Sequence, residues 1–359
     1  FFFKQKTAYE IPKRDWSSDV CSSDLPARGA AAPALERAGS ALSLLRAVRM
    51  AVVPSPGDPA SGWALGATLA RYAAAGSGDP ARIESFRDFA RRTLAGTATA
   101  RLTPEFTLRR LERGATSALA DLRSAEDLLR ADDREGRAAV EDLRAAALLA
   151  RFHALRMSAA VHYALFLRAQ RLAELVAATY VEKDALQVWR ELMAAAGRAD
   201  AAGARRRPYR LRADWSADLA RLEASVRDLE AQCCPPDPAV LGEKVWRAAA
   251  DADLAVPRIR LVAAADGRPE SPWRIRFSVT SPEGVAEVAL LARRRGETDY
   301  QRLPLRADAD GNYTAEVPPE WRTEKSATPA FIEALSPSGR GASYPAPDAQ
   351  EPLLSLPLR

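Results

Sequence analysis

Apolar residues along this chain repeat with two different periods, and the change between them is abrupt. Up to residue 232 they return every three or four positions. From 258 onward they alternate with polar residues, and the two regimes meet at Cys233, Cys234, Pro235, Pro236, Asp237 and Pro238. A return at three and four lines one face of a helix, and a return at two lines one face of a strand. No segment can satisfy both, so the chain is expected to be multidomain α plus β. An all-helical domain takes residues 26–232, a linker with a short helix 233–254, and a β-rich domain 255–359. At roughly 100–200 residues per domain, the length suits this division.

Helix starts are marked in the first part. Asp79 before Pro80 and Thr103 before Pro104 each combine an N-cap with a residue whose φ is already helical. The first predicts a helix through Phe86 and Phe89; the second predicts one through Leu108, Leu111, Leu119, Leu122 and Leu129, with a break at 96–100 between them. The spacing of Val140, Leu143, Ala147, Phe152, Leu155, Val161, Leu165 and Leu172 predicts one long helix over 134–180, with Arg144, Arg151, Arg156, Arg168 and Arg171 around the stripe. A further helix is expected over 183–196, a basic small-residue loop over 201–212, an amphipathic helix over 215–232 and a short helical bridge over 241–250.

In the second part, strands are expected over 258–262, 273–279, 285–292, 300–305, 313–317, 330–335 and 353–358. Residues 281–284 carry turn chemistry, and Asp310 with Gly311 predicts a hairpin joining the fourth strand to the fifth. About seven short strands in some hundred residues is the size of an immunoglobulin/fibronectin-like β-sandwich.

Residues 1–25 stand apart and are similar to a short-read sequencing adapter translated in one frame. They hold Lys4, Lys6 and Lys13, whereas the rest of the chain has only Lys183, Lys244 and Lys325 against a large excess of arginine. They are set aside from fold reasoning. The expectation is that the native N-terminus, any signal region and an upstream domain lie outside this sequence. Heavy use of Ala and Arg suits a GC-rich bacterial genome.

The formal charge of +5 is spread over many helices, with one run at Arg205, Arg206 and Arg207. A nucleic-acid surface needs a clustered basic stripe with interleaved aromatics, so none is expected. The best candidate for a membrane span, the uncharged residues 157–167, is well short of the roughly 20 needed. Cys233 and Cys234 read as two unpaired thiols, and no Cys or His stands at metal-ligand spacing.

Asp308, Asp310 and Asn312 suggest a calcium loop, but an EF-hand needs Gly at the sixth position and Glu at the twelfth. Tyr313 and Pro319 stand there, so the motif reads as a turn. His153 and His162 fall on opposite sides of their helix and read as packed helix residues. Glu126, Asp127, Asp132 and Asp133 read as solvated helix carboxylates with intrahelical arginine partners. No catalytic, cofactor-binding or metal residue is expected. Trp273 reads as core. Tyr300, Tyr313, Trp321 and Tyr344 lie near strand ends or turns, where a ring face can stack on a sugar, and are the candidate glycan contacts.

Three stretches carry a resemblance. Residues 100–122 (ARLTPEFTLRRLERGATSALADL), the helices VEKDALQVWRELMAAAG and DWSADLARLEASVRDLE within 181–230, and residues 284–345 resemble the C-terminal region of large secreted bacterial glycoside-hydrolase-like proteins. The chain departs from them at Ala213, Asp214 and Trp215, where a Gly-His-Trp start is expected, and in the loop before it. The resemblance implies a noncatalytic accessory region of an extracellular or periplasmic carbohydrate-active protein. The helical part would buttress an upstream domain of the same chain, and the sandwich would serve as spacer or weak carbohydrate contact. Two other readings stay open: an adhesion or interaction module with no enzymatic parent, and a small-molecule site within the helical domain.

Overall fold

The computed structural model describes residues 29–40, 44–53, 66–201, 215–233, 240, 244–248, 256–264, 273–293, 297, 299–317, 328–347 and 354–356. It is a helical domain followed by two antiparallel sheets. The helices are α1 (Ala32–Ser40), α2 (Leu44–Ala51), α3 (Leu69–Ala74), α4 (Phe86–Ala95), α5 (Pro104–Leu128), α6 (Arg134–Ala169), α7 (Leu172–Ala201) and α8 (Trp215–Cys233). The expectations for residues 1–25, the 201–212 loop beyond Ala201, Cys234 and the Trp273 side chain lie outside the described residues.

Thr103 opens α5 as its type predicts, its Oγ1 accepting from the Phe106 amide at 3.2 Å. Asp79 and Pro80 do not open a helix. They make a single turn, with the Arg82 and Ile83 amides both bonded to the Asp79 carbonyl, and α4 starts only after its own cap, Ser85. Tertiary pairing stops the turn from propagating: the Glu84 amide donates to the Leu102 carbonyl at 2.9 Å and the Leu102 amide to the Arg82 carbonyl at 2.7 Å.

The long helix expected over 134–180 is in fact a hairpin. Gln170 adopts a left-handed φ of 55°, its amide closes on the Phe166 carbonyl, and its side-chain amide donates to the Leu167 carbonyl at 3.0 Å. The helix expected over 183–196 is therefore the middle of α7, which folds back along α6. An apolar stripe looks the same on one long helix as on two antiparallel ones, because both bury the same face. Helix α6 lies at the centre, packed on α7, α5, α3 and α4. This explains why so much of its surface is apolar or small, and why Arg156, expected beside the stripe, is fully buried. Residues 244–248, expected within a short helix, run without helical structure across the helical domain. They are tied down by Arg171 to the Lys244 carbonyl, by the Trp246 amide to Glu174 at 2.9 Å, and by Arg109 to the Ala248 carbonyl at 2.7 Å.

The strands are β1 (Arg258–Ala264), β2 (Trp273–Thr280), β3 (Glu287–Ala292), β4 (Gln301–Leu305), β5 (Asn312–Val317), β6 (Thr328–Leu335), β7 (Gly341–Tyr344) and β8 (Leu354–Leu356). One sheet runs β1-β2-β5 and the other β4-β3-β6-β7, with β8 also on β6. This is the order of an immunoglobulin/fibronectin-like sandwich. Its core comes from the inward residues of both sheets, including Ile275, Phe277 and Val317 against Val288, Leu290 and Ile332. The expected hairpin between the fourth and fifth strands is instead a crossing between sheets, since β4 pairs with β3 and β5 with β2. The tight turn itself exists, with Gly311 at φ 76° and its amide bonded to the Asp308 carbonyl. Turn chemistry sets a reversal of direction, while the choice of sheet depends on partners elsewhere.

The outer face of the second sheet is not left to water. Phe331 and Glu333 point away from the sandwich core yet are 0% and 5% exposed, because the helical domain lies against them. Arg82 extends from the turn before α4, its guanidinium 4.5 Å from the Phe331 ring centre and bonded to the Pro345 carbonyl and to Ser343. Backbone meets backbone beside it: the Thr99 amide donates to the Gly339 carbonyl at 3.2 Å, and a side chain on Gly341 would stand 2.3 Å from the Ala100 Cα. Below this joint Glu84, fully buried, accepts from Arg92 at 2.9 Å and Arg101 at 3.3 Å.

The left-handed corner predicts that Gln170→Val lowers stability by about 1–2 kcal/mol, because a β-branched residue resists that conformation. Gln170→Gly should stay within about 0.5 kcal/mol of the parent. Urea midpoints followed by circular dichroism compare them; a Val variant as stable as the parent would remove the corner as the cause of the break.

Candidate functional site

The aromatic residues singled out on the sandwich do not form one platform. Tyr300 lies edge-on to Phe331, with ring centres 4.9 Å apart, and is covered by the Arg293 guanidinium at 4.6 Å, which places it at the outer face of the second sheet. Tyr344 pairs with Ile332 across the strands and packs edge-on to Phe277 in the core. Tyr313 is opposite Phe277 and also packs on that core. All three rings are half-buried, and Trp321 lies outside the described residues. The Asp308 turn holds no cation loop. Asp308 accepts from the Asp310 and Asn312 amides, and the Arg276 guanidinium bridges Asp308 at 2.9 Å and Asp310 at 3.0 Å. The bonds from the Asn312 and Asp310 amides and from Arg276 hold the Asp308 carboxyl below its ordinary range, although partial desolvation opposes them.

Two polar clusters sit inside the helical core. In the first, Arg156 on α6 is 0% exposed and pairs with Glu182 on α7 through Nε to Oε2 at 3.3 Å and Nη2 to Oε1 at 3.0 Å. The same Nη2 donates to the Ala67 carbonyl at 2.7 Å, and the guanidinium faces the Tyr72 ring at 4.6 Å. Breaking such a pair by removing one partner costs about 3–5 kcal/mol, since the other charge stays buried. Burial pushes the Glu182 carboxyl up, and Arg156 opposes that shift. Tyr72 and His153 complete the cluster, with the phenol oxygen 3.1 Å from Nδ1. Burial raises the Tyr72 hydroxyl well above its usual range, with Arg156 pulling it back. The His153 imidazole is pulled down to about 3, first by burial and then by the neighbouring Arg156 charge.

In the second cluster, His162 Nδ1 lies 2.7 Å from Glu174 Oε2, and Glu174 Oε1 accepts from the Trp246 amide. Burial alone would raise the Glu174 carboxyl, but the His162 and Trp246 hydrogen bonds, with the His162 and Arg171 charges, hold it below its ordinary value. The Trp246 ring stands edge-on to both His162 and Phe89. The two histidines thus take separate partners on opposite sides of α6, as their spacing predicts. Sequence reasoning did not find Arg156, Glu174 and Glu182 as buried charges. Their only signal is a charged residue inside an apolar stripe, which a solvated helix edge also gives.

A third feature opens to solvent. Helices α5 and α7 both flank α6, and between them lies a cleft of about 410 Å³. It is lined by Leu119, Arg123 and Glu126 from α5, by Arg144, Leu148 and Arg151 from α6, and by Glu191, Ala194 and Arg198 from α7. Each helix contributes three residues at a spacing of three or four, so each presents one face. Arg144 is held by Glu126 and Glu141, both at 2.6 Å, and Arg198 reaches Glu141 at 3.0 Å. Among the described residues, no group of His, Cys, Asp and Glu side chains is arranged to hold a metal, and no helix is long and apolar enough to cross a membrane. The buried Cys233 sulfur lies 3.3 Å from the Thr179 hydroxyl.

No family model matches the chain, and no curated protein sequence matches it. Among solved structures it is similar to a GH138 enzyme described as targeting pectin rhamnogalacturonan II. The superposition has a TM-score of 0.39 at 13% identity and covers 56% of this chain. It spans 32% of the length of that enzyme.

The depressed His153 gives a pH dependence with a definite sign. Below an unfolded value near 6.5 the unfolded chain takes up a proton that the folded chain refuses until about 3. The contribution is therefore complete above 6.5 and is lost as pH falls toward 3, by up to about 1.4 kcal/mol per pH unit. Urea unfolding at pH 7 and pH 5 should show a clear loss in the parent and a smaller one in His153→Gln. An equal loss in both would place the proton uptake elsewhere.

Proposed function

We propose that this chain is a noncatalytic accessory region of an extracellular or periplasmic carbohydrate-active protein. Its helical domain buttresses an upstream domain of the same chain, and its sandwich is a stiff spacer or a weak glycan contact. The observation that carries the noncatalytic part is the burial of the most perturbed ionisable groups. Tyr72, His153 and Glu182, together with the Arg156 they surround, are 0 to 1% exposed and held by one another, so no substrate can reach them without unfolding the core. Perturbed groups in an open cleft would point to catalysis; these are structural. The carbohydrate part rests on the resemblance of residues 100–122, 181–230 and 284–345 to secreted glycoside-hydrolase-like proteins. The stiffness rests on the joint: a linker region alone would let the sandwich swing, whereas Arg82, Phe331 and the Thr99 to Gly339 bond tie it to the helices.

A second reading, a small-molecule site in the helical domain, is favoured by one observation, the cleft between α5, α6 and α7. Pockets of roughly 300–1,000 Å³ with a few convergent polar groups are the usual form of such sites.

The full chain incubated with plant and bacterial polysaccharides should release no reducing sugar. Release that co-purifies with the chain through successive columns would sink the noncatalytic reading. The joint has its own test. Arg82→Ala should widen the distribution of distances between spin labels placed on α8 and β3, and Gly341→Ala should do the same by forcing Ala100 away. Unchanged narrow distributions in both variants would mean that the joint is not what holds the domains.

A further inference from the structure

We propose that the cleft between α5, α6 and α7 binds a small hydroxylated organic anion, a sugar acid or a sugar phosphate, through Arg123 and Arg151. This rests on the second reading above; its failure leaves the accessory role untouched, because the two are measured by different assays. Four guanidinium groups line the cleft against two carboxylates, Glu126 and Glu191. They are not equivalent. Arg144 is saturated by Glu126 and Glu141, and Arg198 also leans on Glu141, so these two serve as a fixed wall. Arg123 and Arg151 face the same space from two different helices, with no ion pair among the described residues. Around Arg151 no carboxylate stands at helical spacing, since Ala147, Leu148, Ala154 and Leu155 occupy those positions; Arg123 has Glu126 and Asp127 three and four residues on, but Glu126 is taken up by Arg144 and neither is ion-paired with Arg123. Other arginines on these helices do have carboxylate partners, as in Arg190 with Glu223 and Arg109 with Glu112.

Two unneutralised guanidiniums that converge from separate helices present a forked set of donors, which suits a carboxylate or phosphate better than a point cation would. Glu191, on the third side, is an acceptor for a hydroxyl of the same ligand, its side-chain neighbour among the described residues being the Gln187 amide at 3.5 Å. Leu119, Leu148 and Ala194 supply an apolar surface for the carbon skeleton. A bare inorganic anion would use the guanidiniums and neither of these, and a neutral sugar would leave both charges unmet.

The test is calorimetric titration of the full chain at low salt with glucuronate, glucose 6-phosphate, inorganic sulfate and glucose. Glucuronate or glucose 6-phosphate should bind with a Kd in the millimolar range or tighter, at least about tenfold better than sulfate, and glucose should give no heat. Arg123→Ala and Arg151→Ala should each weaken binding about tenfold, the double variant should abolish it, and Arg227→Ala on the exposed side of α8 should change nothing. Raising sodium chloride tenfold should weaken it further, since the site is open to screening ions. Arg123 and Arg151 are exposed, so their variants should melt with the parent, and circular dichroism checks that they fold. The proposal is overturned if neither organic anion binds, if sulfate binds as well as they do, or if the double variant binds like the parent.

Discussion

A guanidinium taken out of water has to find acceptors inside the protein, and this fold is organised around two that are. Arg156 gathers α7 through Glu182, the segment before α3 through the Ala67 carbonyl, and α3 itself through the Tyr72 ring. Arg82 gathers the end of β7 through the Pro345 carbonyl and β6 through Phe331. Desolvation of such a charge costs several kcal/mol unless its partners are close, so the elements that carry them have little freedom to move apart. The hairpin of α6 and α7 and the joint between the domains are two results of the same constraint.

That constraint also separates structural charge from available charge. Inside the core, Glu174, Glu182 and His162 are occupied by one another's neighbours and by the strap at 244–248. On the surface, the cleft keeps Arg123 and Arg151 turned toward solvent while Glu126 and Glu141 are taken up by Arg144. Charge open to solvent therefore lies on the exposed face of the helical domain, while the perturbed histidine and tyrosine are enclosed in its core.

Much of the fold was legible in the residues. The Thr103 and Pro104 start, the amphipathic pattern of α8 and the alternation of Ile275, Phe277 and Val279 each describe what lies within a few positions, and the structure has them where expected. Misreadings occurred where a local pattern has two tertiary solutions. Asp79 and Pro80 start a turn that pairing with Leu102 captures, and Asp310 with Gly311 makes a tight turn that crosses between sheets. The candidate cleft was less legible. Its residues recur at helical spacing on three helices, but such triplets also describe any solvated face. Only the packing of α5 and α7 on either side of α6 makes them converge.

By itself the sequence determined that helices precede strands, and where several helices begin. Those properties follow from side-chain period and from caps, which act over one or two turns. Tertiary structure alone decided that a stripe spanning residues 134–180 bends at Gln170, that Arg156 and Glu182 meet in the core, and that the outer face carrying Phe331 is covered. The physical reason is distance along the chain. Arg82 and its carbonyl partner Pro345 are 263 residues apart, and no local pattern can record which distant atom will satisfy a buried charge.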